Sequence, residues 1–143
     1  MPVWVRVAIR RPGASSTVET SAKLNTGFTI GPEPFIRLPR RVAELLGFDV
    51  EQGELLTGIS DAGGRPLPVY RLGVVEVRVL VPDRETSWVR AVAVLTGAPS
   101  VLLNDVLIEE LGLVPEKPGS GLWRFSDEPP NRLRQSARPE YHG

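Results

Sequence analysis

The residue types of this chain leave few kinds of catalytic chemistry open. It has 143 residues, no cysteine and one histidine, His142, next to last in the chain. A serine–histidine–aspartate triad or a histidine-based zinc site needs a rigidly held imidazole, whereas a histidine in a polar terminal segment is expected to be solvated. The lack of cysteine excludes disulfides, thiolate metal sites and cysteine nucleophiles. Elimination leaves carboxylate chemistry or none.

The segment of greatest interest is Asn25-Thr26-Gly27-Phe28, which follows an alternating strand pattern over residues 17–24. By itself, Asn-Thr-Gly indicates an Asx-type turn without chemistry. An aspartate in place of Asn25 could take a proton from water. A carboxamide has no titratable group near neutral pH, so Asn25 cannot.

Two further segments follow in a fixed order, residues 38–48 (LPRRVAELLGF) and residues 101–113 (VLLNDVLIEELGL). With Asn25-Thr26-Gly27, this order resembles the retropepsin-like aspartic proteases, and within them a prokaryotic branch whose motif reads Asp-Thr-Gly-Phe. Residues 119–125 (GSGLWRF) are also similar to that branch. The resemblance extends over about residues 3–125.

The resemblance implies a mainly-β fold, a retropepsin-like protomer with a closed or partly closed barrel and two short helices. In this family two carboxylates about 3 Å apart share one proton, and the ionised one activates water. The chain carries one copy of the motif. The site is therefore expected on the twofold axis of a homodimer, to which each protomer supplies one copy.

The family's site residues carry over by position. Asn25 stands at the catalytic aspartate position, Thr26 is expected to hydrogen-bond across the dyad, and Gly27 to let the backbone approach it closely. The resemblance further implies a substrate-binding group, with Phe28 beside the dyad and a hairpin flap that closes over an extended peptide or protein substrate. The flap residues are Ser60, Asp61, Ala62, Gly63 and Gly64.

Two positions depart from the family pattern. Asn25 is no general base, and general acid–base assistance is typically worth about 10²–10⁴-fold in rate. Leu103 stands where the family carries glycine. Asp105, the nearest carboxylate in that segment, is interpreted as a first-turn helix residue favoured by the helix dipole.

Three functions remain open. The first is a homodimer without peptidase activity that binds extended peptides. The second is an active aspartic endopeptidase in which Asn25 is an engineered replacement of aspartate. The third is a structural β-domain with no site. Leu103 favours the first over the second, because a change aimed at activity gives no reason to alter that position.

Alternation and turn residues predict a chain dominated by strands, at residues 3–9, 17–24, 55–59, 67–72, 75–79 and 88–95. Residues 28–36 are expected to be loop-rich. Short helices are predicted with Pro39 in the first turn of one and over about residues 105–111 for the other, with Asn104 as the N-cap of the second. Both helices end in Leu-Gly followed by an apolar residue, which indicates two related halves.

Residues 1–125 are interpreted as one domain, and residues 126–143 as a polar, disordered C-terminal tail. The formal net charge is zero, from 17 basic and 17 acidic residues, so neither nucleic acid nor a membrane is an expected partner. The expected partners are a second copy of the chain and an extended peptide. No metal or other cofactor is expected, and the cytoplasm is the expected compartment.

Overall fold

The computed structural model describes residues 2–25, 31–60 and 63–143, and strands dominate this part of the chain. The strands are β1 (Trp4–Arg10), β2 (Val18–Leu24), β3 (Phe35–Arg37), β4 (Glu54–Leu56), β5 (Val69–Val79), β6 (Val89–Leu95), β7 (Val101–Leu103), β8 (Leu113–Lys117), β9 (Leu122–Phe125) and β10 (Arg134–Gln135). The α-helices are α1 (Arg40–Leu45) and α2 (Asp105–Glu110), and Val50–Gln52 forms one 3-10 turn. No helix among these residues has the length and apolar character needed to cross a bilayer.

Six strands close into a barrel in the order β1-β2-β7-β3-β6-β5, because β1 pairs with both β2 and β5. β4 pairs with the free edge of β5 and extends the sheet. The alternating residues of β1, which include Val5, Val7 and Ile9, are buried in the barrel core. The predicted mainly-β fold with two short helices is confirmed.

The barrel consists of two halves with the same order of elements. The β1–β2 hairpin, β3 and α1 correspond to the β5–β6 hairpin, β7 and α2. β2 pairs in parallel with β7, β6 pairs in parallel with β3, and β3 and β7 are antiparallel neighbours between them. The similar helix endings in the sequence therefore do mark two related halves.

β5 is one continuous strand, whereas the sequence predicted two strands separated at Gly73. The pairing register of β5 with β6 shifts between Arg71 and Gly73, which is a bulge. Gly73 has φ 155°, and a Cβ there would lie 3.0 Å from Cε1 of Phe48. The glycine bends the strand over the Phe48 ring without interrupting it.

Residues 126–143 follow a defined path, which differs from the disordered tail predicted from composition. β10 pairs with β9, and β9 with β8, in a small second sheet beside the barrel. His142, predicted to be solvated, is half-buried, and its Nε2 lies 2.9 Å from Oγ1 of Thr20. The tail is ordered by contacts with distant residues, which its composition does not reveal.

Charged residues of the tail are paired with residues of the barrel side. Glu128 is buried and accepts hydrogen bonds from Nε of Arg134 at 3.0 Å and from the Phe125 N–H at 3.0 Å. Arg134 also donates to both carboxylate oxygens of Asp83, at 2.7 and 2.8 Å. The hydrogen bonds from Arg134 lower the pKa of Glu128 and of Asp83, and those two carboxylates raise the pKa of Arg134.

Candidate functional site

Asn25 follows directly on the last residue of β2 and is half-buried. Its backbone N–H donates to the carbonyl oxygen of Leu103 at 3.2 Å, and the N–H of Leu24 donates to the carbonyl oxygen of Val3 at 3.0 Å. The chain is thus fixed from two sides at the point where β2 ends. This places Asn25 at one end of the barrel, beside the last residue of β7.

Leu103 lies in the centre of that barrel end. Its partner in β2 is Leu24, in parallel register, and its partner in β3 is Ile36, in antiparallel register. The side chain is fully buried in the core. The side chain of Leu103 therefore fills core volume, and its carbonyl group fixes the Asn25 backbone.

Asn104 has a larger role than the predicted N-cap. Its Oδ1 accepts the N–H of Leu107 at 3.0 Å, the helix cap, and also the N–H of Phe35 at 2.9 Å. Its Nδ2 donates to the carbonyl oxygen of Glu33 at 3.0 Å. The side chain is fully buried, so one carboxamide joins α2 to the segment that leads from Asn25 into β3. A cap signal in the sequence gives no indication of the two contacts across about 70 residues.

Asp105 is the first residue of α2, as predicted. Its Oδ1 is buried and has no hydrogen-bond partner within the described ranges. Asp105 lies two positions after Leu103 along the chain, on the helix side of Asn104. The structure thus gives Asp105 the predicted first-turn position in α2.

The predicted flap region is a hairpin on the β4–β5 side of the barrel. Ser60 forms an isolated bridge with Pro66, and the N–H of Leu67 donates to the carbonyl oxygen of Ile59 at 2.9 Å. Ser60, Gly63 and Gly64 are exposed. These positions confirm the hairpin but do not test its role as a flap.

An apolar cavity of about 450 Å³ lies along this hairpin, and its wall is formed by Leu55, Leu56, Thr57, Gly58, Ile59, Pro66, Leu67 and Pro68. Leu56, Ile59 and Leu67 also pack against a small buried cluster of Phe35, Val69, Val92 and Val94. Phe35 begins β3, which neighbours Leu103. The base of the hairpin therefore packs against the same barrel end that carries Asn25.

Five of the predicted site residues lie outside the described residues: Thr26, Gly27, Phe28, Asp61 and Ala62. In residues 2–25, 31–60 and 63–143, no group of three or more histidine or acidic side chains is placed to hold a metal ion. What the described part offers is a carboxamide, an apolar cavity and backbone hydrogen-bonding groups.

No protein-family model matches this chain, and no curated protein sequence matches it. Among solved structures, it is similar to the EIAV protease in complex with the inhibitor HBY-793, with a TM-score of 0.48 and 17% identity over 78% of this chain and 89% of that one. It is also similar to the retroviral protease-like domain of Ddi1 from Leishmania major, with a TM-score of 0.48 and 11% identity over 92% of this chain and 98% of that one.

Proposed function

We propose that this chain is the protomer of a retropepsin-like homodimer that binds extended peptides and, with asparagine at position 25, does not hydrolyse them. The observation that carries the proposal is the placement of Asn25, which ends β2 and is held by Leu103 at the end of a barrel built from two related halves. The sequence resemblance assigns the catalytic aspartate position to this residue. One such position per chain supplies half of a dyad, which is why a second copy is required.

The carboxamide of Asn25 is the reason that we expect no peptide hydrolysis. A dyad of two aspartates shares one proton and always has an ionised member in its working range. Two asparagine side chains have no ionised member at any accessible pH, so neither can take a proton from water. They still donate and accept hydrogen bonds, and the apolar cavity at residues 55–68 can bury side chains of a bound peptide.

The proposal is tested with Asn25→Asp, which restores a carboxylate on each protomer. We expect no cleavage of a peptide library by the parent chain, and weak cleavage by the variant that has a bell-shaped pH profile in the acid-to-neutral range. Pepstatin-like inhibitors should bind the variant more tightly than the parent, because they mimic the tetrahedral species that a true dyad stabilises.

Asn131→Asp is the matched control, since it adds the same carboxylate at an exposed position far along the chain. Pepstatin-sensitive cleavage by the parent chain would overturn the inactive assignment. An Asn25→Asp variant that is dimeric and folded but no more active than Asn131→Asp would remove the assignment of Asn25 to the catalytic position.

A further inference from the structure

The first half of β1 has an edge that β5 does not cover. β5 pairs with β1 only from Val7 to Arg10, and the N–H of Leu80 then donates to the carbonyl oxygen of Arg6 at 2.8 Å. Trp4 lies further along the same edge. An uncovered edge presents free backbone donors and acceptors to any extended segment that can reach it.

The C-terminal strap (residues 136–142) occupies this edge. The N–H of Trp4 donates to Oγ of Ser136 at 3.1 Å, and the N–H of Ala137 donates to the carbonyl oxygen of Trp4 at 2.8 Å. Both backbone groups of Trp4 are therefore satisfied by the strap. One backbone bond and one side-chain bond thus hold the strap on the edge of β1, at groups that a peptide added as a strand would also use.

Side chains give the strap its specificity. Glu140 forms an ion pair with Arg6, and the ring of Tyr141 meets the ring of Trp4 edge-on, with centroids 5.8 Å apart. Oγ of Ser21 donates to the carbonyl oxygen of Arg138 at 2.6 Å. The Glu140 carboxylate thus binds the Arg6 guanidinium, and the neighbouring Tyr141 ring contacts the Trp4 indole.

Two side chains of the strap, Glu140 and Tyr141, remain partly exposed to solvent in these contacts. Arg6 and Glu140 side chains are each 38% exposed, and ion pairs exposed to this degree add little stability. Tyr141 is 68% exposed despite its contact with Trp4. Arg138, three residues before Tyr141, is exposed, and its side chain has no hydrogen bond or ion pair among the described residues.

The strap also borders the strand that ends at Asn25. Val3, which precedes the strap-bonded Trp4, accepts the N–H of Leu24. Release of Trp4 from the strap removes the backbone hydrogen bonds on one edge of the start of β1 and leaves those to β2 on the other. The order of the β2 terminus is therefore coupled to the occupancy of the β1 edge.

We propose that the edge of β1 at Trp4, together with the Trp4 ring and the Arg6 guanidinium, is a binding site for an extended peptide that carries a carboxylate followed by an aromatic residue. The chain's own strap occupies this site in the structure, as a releasable intramolecular ligand. The site is separate from the apolar cavity at residues 55–68, and its existence does not depend on the function proposed for Asn25.

The test uses the full chain with Ser136→Ala, Ala137→Pro, Glu140→Gln and Tyr141→Ala combined, which removes the acceptor of the Trp4 N–H, the backbone donor to Trp4, the charge and the ring. Amide exchange is followed by NMR. We expect the Trp4 and Leu24 amides to exchange at least about tenfold faster than in the parent, because local opening there no longer breaks the strap contacts. The Asn104 amide, which is bonded to Phe35 at the same barrel end, should be unchanged. Arg138→Gln is the matched control within the strap and should change none of them.

A synthetic peptide of residues 136–143 is then added to the combined variant, up to about millimolar, the effective concentration of a tethered segment. It should restore slow exchange at Trp4 and Leu24, and a peptide with the Glu140→Gln and Tyr141→Ala changes should not. Unchanged exchange in the combined variant, faster exchange at Asn104 as well, or no restoration by the peptide would each overturn the proposal. If the combined variant does not fold, Tyr141→Ala alone is measured, with faster exchange confined to Trp4 and Leu24 expected and a uniform change contradicting it.

Discussion

The backbone N–H of Asn25 donates a 3.2 Å hydrogen bond to the carbonyl oxygen of Leu103. This bond continues the parallel pairing of β2 with β7 by one residue beyond Leu24. The position of residue 25 is therefore set by the backbone of two strands from the two halves of the barrel. Side-chain substitutions at position 25 should change the chemistry at this point while the strand ends keep their places.

Asn104→Ala should destabilise the chain strongly, because the buried carboxamide satisfies Phe35 and Glu33 besides capping α2. We expect a loss of about 2–3 kcal/mol in the free energy of unfolding, from a lost cap and a buried N–H left unpaired. Urea denaturation measures it. Asn131→Ala, at an exposed position, is the control and should lie within about 0.5 kcal/mol of the parent. Equal losses in the free energy of unfolding would show that the Asn104 side chain contributes no more to stability than an exposed asparagine.

Gly73→Ala should be destabilising by about 1–3 kcal/mol, since it forces a side chain into a backbone conformation with φ 155°. The added Cβ would also lie 3.0 Å from the Phe48 ring. Gly119→Ala is the matched control, because its φ is not positive and nothing lies within 4 Å of the added atom. The melting temperatures of both variants are measured by thermal unfolding. A Gly73→Ala melting temperature equal to that of Gly119→Ala would contradict the backbone geometry at Gly73.

Acid should weaken the packing of the C-terminal segment on the barrel. The pKa values of Glu128 and Asp83 are lowered by hydrogen bonds from Arg134, so the folded state favours their ionised forms. That stability is fully present above the unfolded pKa values, about 4.3 and 3.9, and is lost as the pH falls below them. The free energy of unfolding should therefore begin to fall at about pH 5 and keep falling toward the lowered folded-state pKa values, which urea denaturation at fixed salt measures.

Glu128→Gln should flatten this pH dependence, because one of the two titrating carboxylates is removed. Glu109→Gln, at an exposed position on α2, is the control and should keep the slope of the parent. A Glu128→Gln slope identical to that of the parent would show that the ion pair with Arg134 contributes nothing in solution.

The tip of the hairpin at residues 60–64 should exchange its amides faster than β1. Gly63 and Gly64 are exposed, whereas Val5 and Val7 are buried in the barrel. Gly63 and Gly64 have no side chains that could pack against the barrel, so we expect local opening there to cost little free energy. Hydrogen exchange followed by NMR provides the comparison, and equal protection of Gly64 and Val7 would contradict a mobile flap.

Much of the barrel could be predicted from the sequence because its signals are local. The alternating residues of β1 and β2 identify strands, and Asn104 with Gly112 marks the ends of α2. β3 was missed, since three residues between loop-forming prolines show no periodicity. The sequence predicts two strands where the structure has β5. Gly73 indicates a break in the strand unless its packing against Phe48 is known.

The C-terminal segment could not be predicted for a different reason. Its order rests on pairs such as Arg6 with Glu140 and Asp83 with Arg134, which are far apart in the sequence. From composition alone, such charged residues are predicted to be exposed to solvent. At the candidate site, the resemblance predicts a role for position 25, and only the structure shows the backbone bond of Asn25 to Leu103 and the contacts of Asn104.

In the proposed homodimer the two Asn25 residues face each other across a twofold axis, and Asn25→Cys tests this arrangement. The chain has no other cysteine, so oxidation can only join position 25 to its copy. A disulfide requires Cα atoms within about 4.4–6.8 Å. Ser15→Cys, in an exposed turn, is the matched control. We expect a covalent dimer from Asn25→Cys under mild oxidation at micromolar concentration and none from Ser15→Cys. No covalent dimer from Asn25→Cys, or equal yields from both variants, would contradict a twofold axis beside Asn25.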